Sequence, residues 1–533
     1  MTVRDAVFDI LRRRGLTTIF GNPGSTEIAF LTGLPDDLRF VLALHEGSVA
    51  GMATGWAIGS GEPAFVLLHT TAGLGNAVGA LATARVNKAP LVVLVGQQDR
   101  RHLAFEPFLA GRLEGLAGDY PVSVELPILP EEVPGAVDRA WHRAALERGP
   151  AVVIVPMDDW AKPTHEREDA SPTRIVAPDA VDEAALAALA TLVDGARSPA
   201  VVVGADADDA DSWAALVRVA EHLACPVWQE SFGARAGFPQ DHPLFAGHLP
   251  GDRGSLRRTL SGYDVILVVG APVFRQYGGY GEGRLVEEGT RIALVTGDRD
   301  EAVRSPAEIV VLGAPAAVCT RLLERVAERP PYRGEPLFRR PDAPAPPPDG
   351  EKLRAGHVLA ALAERLSPDA VLVEEAPSDR PELHGRIATR QPLGFLSAAM
   401  GGLGFGLPAA IGLRMALPER PVVAVLGDGS SLYAIQGLWS AAQYGIGVLF
   451  VVLNNGGYAV MDRLAEQHGG KGPWPGFSVD LTGLARAFGC PARRIEAWDD
   501  LSAALDAAVH DLPGSTEPLL LEVMVEPESR FNP

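Results

Sequence analysis

Cysteine is scarce in this chain of 533 residues: Cys225, Cys319 and Cys490 stand far apart and at no spacing that suits a metal. A disulfide framework is thereby excluded, and a reducing compartment fits. No apolar run approaches the roughly 20 residues that a membrane span needs. The first turn of sequence carries Asp5 and Asp9 where a secretory leader would be purely apolar. Positive charge is also in deficit, with 47 Lys and Arg against 67 Asp and Glu, a net charge of −20. Such a surface repels duplex nucleic acid and anionic lipid. Together these absences predict a soluble, cytoplasmic protein with no nucleic-acid and no membrane partner. One motif is missing too. Gly73-Leu74-Gly75, Val203-Gly204-Ala205 and Val269-Gly270-Ala271 all stop short of Gly-x-Gly-x-x-Gly, so a bound dinucleotide has no support.

What the chain does have is one pattern written three times. At 47% hydrophobic and 21% charged it can build large cores, and its length predicts about three domains. Short apolar runs alternate with helical stretches, the signature of doubly wound parallel α/β domains. In the first segment the runs are 17–20, 40–44, 64–68, 91–96 and 151–155, with helices expected at 3–14 and 76–86. The second repeats them at 200–203, 265–270, 291–295 and 309–312, the third at 370–373, 422–426, 448–453 and 519–525, after a helix from about 353. The boundaries fall at a charged linker, 162–178, and at the proline-rich stretch 341–349, which reads as a stiff, solvated spacer. Domains are therefore expected at 1–165, 180–328 and 351–528.

Leu426-Gly427-Asp428-Gly429-Ser430 ends one apolar run of the third segment, and Asn454-Asn455-Gly456-Gly457 ends the next. The 24 residues between Gly429 and Asn454 suffice for one right-handed crossover, which sets the two strand ends side by side. Asp428 and Asn455 can then converge. A carboxylate, a carboxamide oxygen and a backbone carbonyl suit Mg²⁺, whose shell a phosphate completes. The glycines let the backbone approach a diphosphate, and the start of the next helix offers it free N–H groups. Elsewhere, Gly21-Asn22-Pro23-Gly24-Ser25-Thr26 marks a tight strand-to-helix turn with Ser25 or Thr26 available as N-cap. Glu46 opens a small-residue helix, and His69 closes a strand at the sheet edge where ligand-binding groups gather.

The Asp428 and Asn455 stretches resemble the binding motif of thiamine diphosphate (ThDP) enzymes. Over essentially its whole length the chain resembles the ThDP-dependent 2-oxo acid decarboxylases, on their benzoylformate decarboxylase-like branch. The resemblance implies three domains, an N-terminal pyrimidine-binding one, a middle one and a C-terminal diphosphate-binding one, with ThDP and Mg²⁺ as cofactors. It assigns the metal to Asp428, Asn455 and Gly457. It places Ser378, Gly427, Gly429, Ser430 and Tyr458 beside the cofactor, with a carbonyl from Gly401 and a wedge from Leu403 in Met400-Gly401-Gly402-Leu403-Gly404. Glu46 becomes the acid that drives the cofactor's aminopyrimidine to its imino form. Ser25 holds the substrate carboxylate, and His69 is the candidate proton donor.

The implied reaction is non-oxidative decarboxylation of a 2-oxo acid to an aldehyde and CO₂. Because Glu46 would reach a cofactor held by another subunit, at least a homodimer is implied, and by resemblance a tetramer. Three positions depart from the pattern. Tyr277 stands where the family has a second active-site histidine, and a phenol near pKa 10 is a poor shuttle at neutral pH. Ser397 and Leu464 stand where phenylalanines line the substrate pocket, with Met461 nearby, so an enlarged or more polar pocket is expected. A carboligase or C–C lyase using the same cofactor, and a ThDP-binding homologue of little catalytic power, stay open as alternatives.

Overall fold

A computed structural model describes residues 1–164, 175, 181–277, 283–348 and 350–527. Most of the expected 162–178 linker, Gly278 to Tyr280, Asp349 and residue 528 lie outside the described residues. The apolar runs become strands because β-branched residues buried on both faces suit a covered parallel sheet. Leu91–Gln97 and Pro150–Pro156 are buried at every position.

Three parallel sheets result. The first has six strands in the order Arg39–Leu42, Thr18–Asn22, Ala64–His69, Leu91–Gln97, Pro150–Pro156 and Ser123–Glu125. The second runs Ile309–Leu312, Arg291–Thr296, Val265–Val269, Pro199–Val203, Val227–Gln229 and Phe245–His248. The third runs Leu353–Arg354, Leu519–Glu526, Leu449–Asn454, Val422–Gly427, Val371–Glu375 and Phe395–Ser397, with Ala492–Ile495 also on Leu519–Glu526. Every one of the three is an open α/β sheet of the doubly wound kind. Residue 353, expected to begin a helix, instead starts a two-residue strand, and the helix runs Ala355–Arg365.

The first and third domains share a core. Helix Glu46–Ser60 lies against helix Gly406–Ala416, and both are buried along most of their length. Contact is backbone to backbone. A Cβ on Gly55 would sit 2.0 Å from the Ala409 carbonyl oxygen, and one on Gly412 would sit 1.8 Å from that of Met52. Polar joints fix the middle domain to this pair. Buried Arg235 donates to the carbonyls of Asn87 (2.9 Å) and Ala205 (3.0 Å). The Asn87 carboxamide in turn donates to the Ser397 carbonyl and accepts from the Ala399 N–H, each at 2.9 Å. Lys88 adds ion pairs to Asp206, Asp298 and Glu301.

Candidate active site

The strand ends of the first sheet gather one set of polar groups. Glu46 is the first residue of its helix and is only 7% exposed. Two carboxamides hold it: Asn22 Nδ2 donates to Oε1 at 3.1 Å and Asn76 Nδ2 to Oε2 at 3.0 Å. Charge near a helix N-terminus is favoured, and each carboxylate oxygen accepts one hydrogen bond. Beside it, His69 Nδ1 lies 3.0 Å from Oε2 of buried Glu27, which also accepts the Gly24 N–H at 2.7 Å. Thr26 Oγ1 bridges the pair, donating to Glu27 and lying 2.9 Å from His69 Nδ1. Engaging Nδ1 fixes the ring orientation, and among the described residues Nε2 has no hydrogen-bond partner.

Two glycines make this possible. A Cβ on Gly24 would collide with the His69 ring at 2.4 Å, and one on Gly96 would lie 1.7 Å from Glu27 Oε1. The expected N-cap is therefore corrected. Neither Ser25 nor Thr26 caps a helix, because Thr26 is committed to Glu27 and His69, and the short helix Ile28–Leu31 starts after Glu27 without a side-chain cap. Ser25 is exposed at the rim of the set. Glu27 is the residue that sequence reasoning missed, although Gly96 in an otherwise bulky strand was its trace.

The third sheet gathers the second set. Strands Val422–Gly427 and Leu449–Asn454 pair with Gly427 opposite Leu453, so Asp428 and Asn455 emerge side by side. Asp428 is 4% exposed and accepts the Gly456 N–H at 2.9 Å. Burial raises its pKa, an effect opposed by backbone N–H donors. The paired asparagines divide their work. Asn454 donates to buried Glu522 at 2.7 Å, while Asn455 Oδ1 faces the turn and accepts from Gly457 N–H at 3.1 Å. Ser430 Oγ donates to the Glu375 carbonyl at 2.6 Å, tying the turn to the neighbouring strand. A Cβ on Gly429 would sit 2.9 Å from the Phe477 ring, which stands edge-on to Tyr458.

The loop 401–405 is positioned by Glu375. Its carboxyl accepts the N–H groups of Gly404, Phe405 and Gly406, at the start of helix Gly406–Ala416. Burial nonetheless pushes this carboxyl up to about 8. Gly401 takes φ +74°, a left-handed conformation that favours glycine. Leu403 is half-buried beyond it.

Gly401 and Leu403 line a cavity of about 460 Å³ between the middle and third domains. Tyr277, Phe232, Glu230, Arg380, His248 and His384 line it too, as does Val460 from helix Ala459–Gln467. That helix presents Val460 to the cavity rather than Met461, which is exposed, or Leu464, which is half-buried. Ser397 is buried beneath Arg380, whose Nη2 lies 3.4 Å from its hydroxyl, and Ser378 is half-buried next to the lining residue Pro377. No histidine replaces Tyr277 locally, but two others reach the same cavity. His248 and His384 stack at 3.9 Å, and burial keeps both neutral, His248 lowered to about 3. Among the described residues no hydrogen bond joins the Glu46 set to the Asp428 set, and the cavity lining includes none of Ser25, Glu46 and His69.

Comparison with known proteins agrees with this geometry. Three thiamine pyrophosphate enzyme models match: the N-terminal TPP binding domain over 1–115, the central domain over 186–322 and the C-terminal TPP binding domain over 383–523. A benzoylformate decarboxylase of Pseudomonas aeruginosa is 39% identical over 531 residues, covering 98% of each chain. A thiamine diphosphate-dependent 4-hydroxybenzoylformate decarboxylase of Rhodococcus jostii superposes with a TM-score of 0.93 at 35% identity, covering 99% of this chain and 100% of its own. A benzoylformate decarboxylase of Polynucleobacter necessarius gives 0.92 at 33%, covering 99% of both. The chain belongs to the thiamine pyrophosphate enzyme family, among the thiamine diphosphate-dependent 2-oxo acid decarboxylases.

Proposed function

We propose that this enzyme converts a benzoylformate-like 2-oxo acid and a proton to an aldehyde and CO₂ at a site built from two subunits. The observation that carries the reading is the pairing of two preformed half-sites: a buried carboxylate clamped by two asparagines, and a buried aspartate beside an asparagine at a glycine-rich strand end. The second half-site fits a diphosphate with a divalent cation. Asp428, the Asn455 carboxamide oxygen and the Gly457 carbonyl are hard oxygen donors suited to Mg²⁺, and Gly429 must be a glycine because a Cβ there would strike the Phe477 ring. Gly427 and Ser430 belong to the same turn and Tyr458 packs on Gly429, which supports a cofactor role for them; Ser378 is assigned beside the cofactor, with Gly401 and Leu403 at its pyrimidine end, by family precedent.

When bound, thiamine diphosphate supplies the carbon nucleophile and the electron sink for loss of CO₂. Glu46 holds and returns the proton at the pyrimidine ring, and its two asparagine partners keep that carboxyl in place. Ser25 donates a hydrogen bond to the substrate carboxylate from the rim. His69, oriented by Glu27, delivers the proton that replaces the lost carboxylate. Tyr277 and Val460 bound the space for the side chain, with Ser397 beneath Arg380, while Met461 and Leu464 stand outside that lining. The separation of the half-sites, together with Phe105 and Phe108 standing 83% and 88% exposed on the first domain, supports a homo-oligomer, a dimer at least and a tetramer by family precedent. No helix among the described residues is long and apolar enough to cross a membrane.

The test is CO₂ release from pyruvate, branched-chain 2-oxo acids, benzoylformate and phenylpyruvate, with ThDP and Mg²⁺ added and then withheld. Cofactor-dependent release is expected from an aryl member. No release from any member, with ThDP bound, would move the activity to a carboligase or lyase.

A further inference from the structure

We infer that Asn87 is a positioning residue: its buried carboxamide fixes the backbone 397–399, from which loop 401–405 springs. The inference deepens the decarboxylase reading and rests on it, because that reading sets Gly401 and Leu403 against the cofactor's pyrimidine end.

Strand Phe395–Ser397 ends the third sheet and is paired on one side only. Its outer edge, and the two residues beyond it, need partners from elsewhere. The Ser397 N–H donates to the Ala234 carbonyl at 2.9 Å, and Arg275 Nη1 donates to the Ala399 carbonyl at 3.3 Å. The Ser397 carbonyl and the Ala399 N–H fall to Asn87, which meets each at 2.9 Å. A carboxamide is donor and acceptor in one plane, so it stands in for a neighbouring strand. Asn87 and Ser397 are each 1% exposed and Ala399 is buried, so bulk water does not compete for these bonds.

The loop begins two residues further on. The Ala398 carbonyl accepts the Gly401 N–H at 3.0 Å, where the chain turns left-handed. Past Leu403, Glu375 takes the N–H groups of Gly404, Phe405 and Gly406. Asn87 thus holds the near end of the loop and Glu375 the far end. Between them the backbone is loosely packed: a Cβ on Gly401 would meet nothing within 4 Å, and one on Gly402 only Thr83 Oγ1 at 3.5 Å. Its two ends set its position.

Neither helix capping nor domain docking accounts for this side chain. Asn87 closes helix Thr70–Val86 through its own N–H, which donates to the Thr83 carbonyl at 2.8 Å. Docking of the middle domain falls to the Asn87 carbonyl, which accepts from Arg235, and to Lys88 with Asp206, Asp298 and Glu301. The carboxamide serves only the third domain. The same helix carries Asn76, which holds Glu46, so it positions the acid near one end and the loop at the other.

The test substitutes Asn87→Leu, which keeps the volume and removes both hydrogen bonds. Asn87→Ala, which leaves room for water, is the second variant should the first fail to fold. Lys88→Gln is the control, weakening the domain joint one residue away without touching 397–399. In the cofactor-free protein, amide hydrogen exchange over 399–405 should quicken about tenfold or more in the Asn87 variants and stay within about twofold in the control. In the ThDP- and Mg²⁺-loaded enzyme, kcat should fall by about 10- to 100-fold at saturating ThDP, with substrate KM within about threefold of wild type. Unchanged exchange over 399–405, or an unchanged kcat, overturns the inference. So does a control that matches both losses, which would reduce Asn87 to domain docking. Faster exchange with no CO₂ from any substrate, wild type included, supports the clamp and sinks the decarboxylase reading instead.

Discussion

Glu46 can serve as a proton relay only if it stays in place while its charge changes. Its two carboxamide donors, from Asn22 and Asn76, come from a strand end and a helix 30 residues further on than Glu46. Glu46→Gln keeps the size and loses the acid. Turnover should fall by about 10²- to 10⁴-fold with ThDP binding retained, read by single-turnover kinetics and cofactor titration. A fully active variant would sink the scheme. Glu230 supports a second prediction. Burial pushes its carboxyl up to about 7 from 4.5, so the folded protein binds more protons than the unfolded between these values. Stability therefore falls as pH rises through that window, by at most about 3 kcal/mol from this group. Glu230→Gln should remove that slope, and urea midpoints at pH 5 and 8 test it; a slope unchanged in the variant would place its source elsewhere. Residues such as Glu46 and Asp428 were legible in the sequence because each opens a helix straight after an apolar strand. Glu27, Glu230 and Arg380 were not. Their meaning comes from partners brought together by the fold, such as His69, 42 residues from Glu27.

At the scale of elements, the long apolar strands could be read because burial on both faces demands an unbroken run. Val227–Gln229, Phe395–Ser397 and Ser123–Glu125 could not, since three residues are too few to carry a period. The helix opened by Glu46 was visible as a small-residue stretch, but its contact with helix Gly406–Ala416 was not. It is the contact that matters for the site, because one helix begins with Glu46 and the other begins where Glu375 grips the loop 401–405. Gly412→Ala puts a methyl group into the Met52 carbonyl and must push the helices apart. The expected cost is about 1–3 kcal/mol, with a fall in turnover at saturating ThDP. Chemical denaturation and steady-state rates check both. An unchanged midpoint would mean the crossing has slack that the geometry denies.

At the scale of the whole molecule, the two half-sites sit in one chain without touching, as far as its described residues go. Either the chain closes on itself or a second chain completes each site. Symmetric dimers favour the second route, because a two-fold axis completes two sites at once with the same surface. Exposed Phe105 and Phe108 give that surface an apolar component whose burial would drive the association. Complementation distinguishes the two. Glu46→Gln and Asp428→Ala enzymes should each be inactive alone. Unfolded together and refolded as a mixture, half the dimers would be mixed, and each mixed dimer would hold one intact site and one doubly damaged site. Recovery should then approach about a quarter of the wild-type rate, if association is random. Sites closed within one chain would instead recover nothing, since every chain in the mixture carries a lesion.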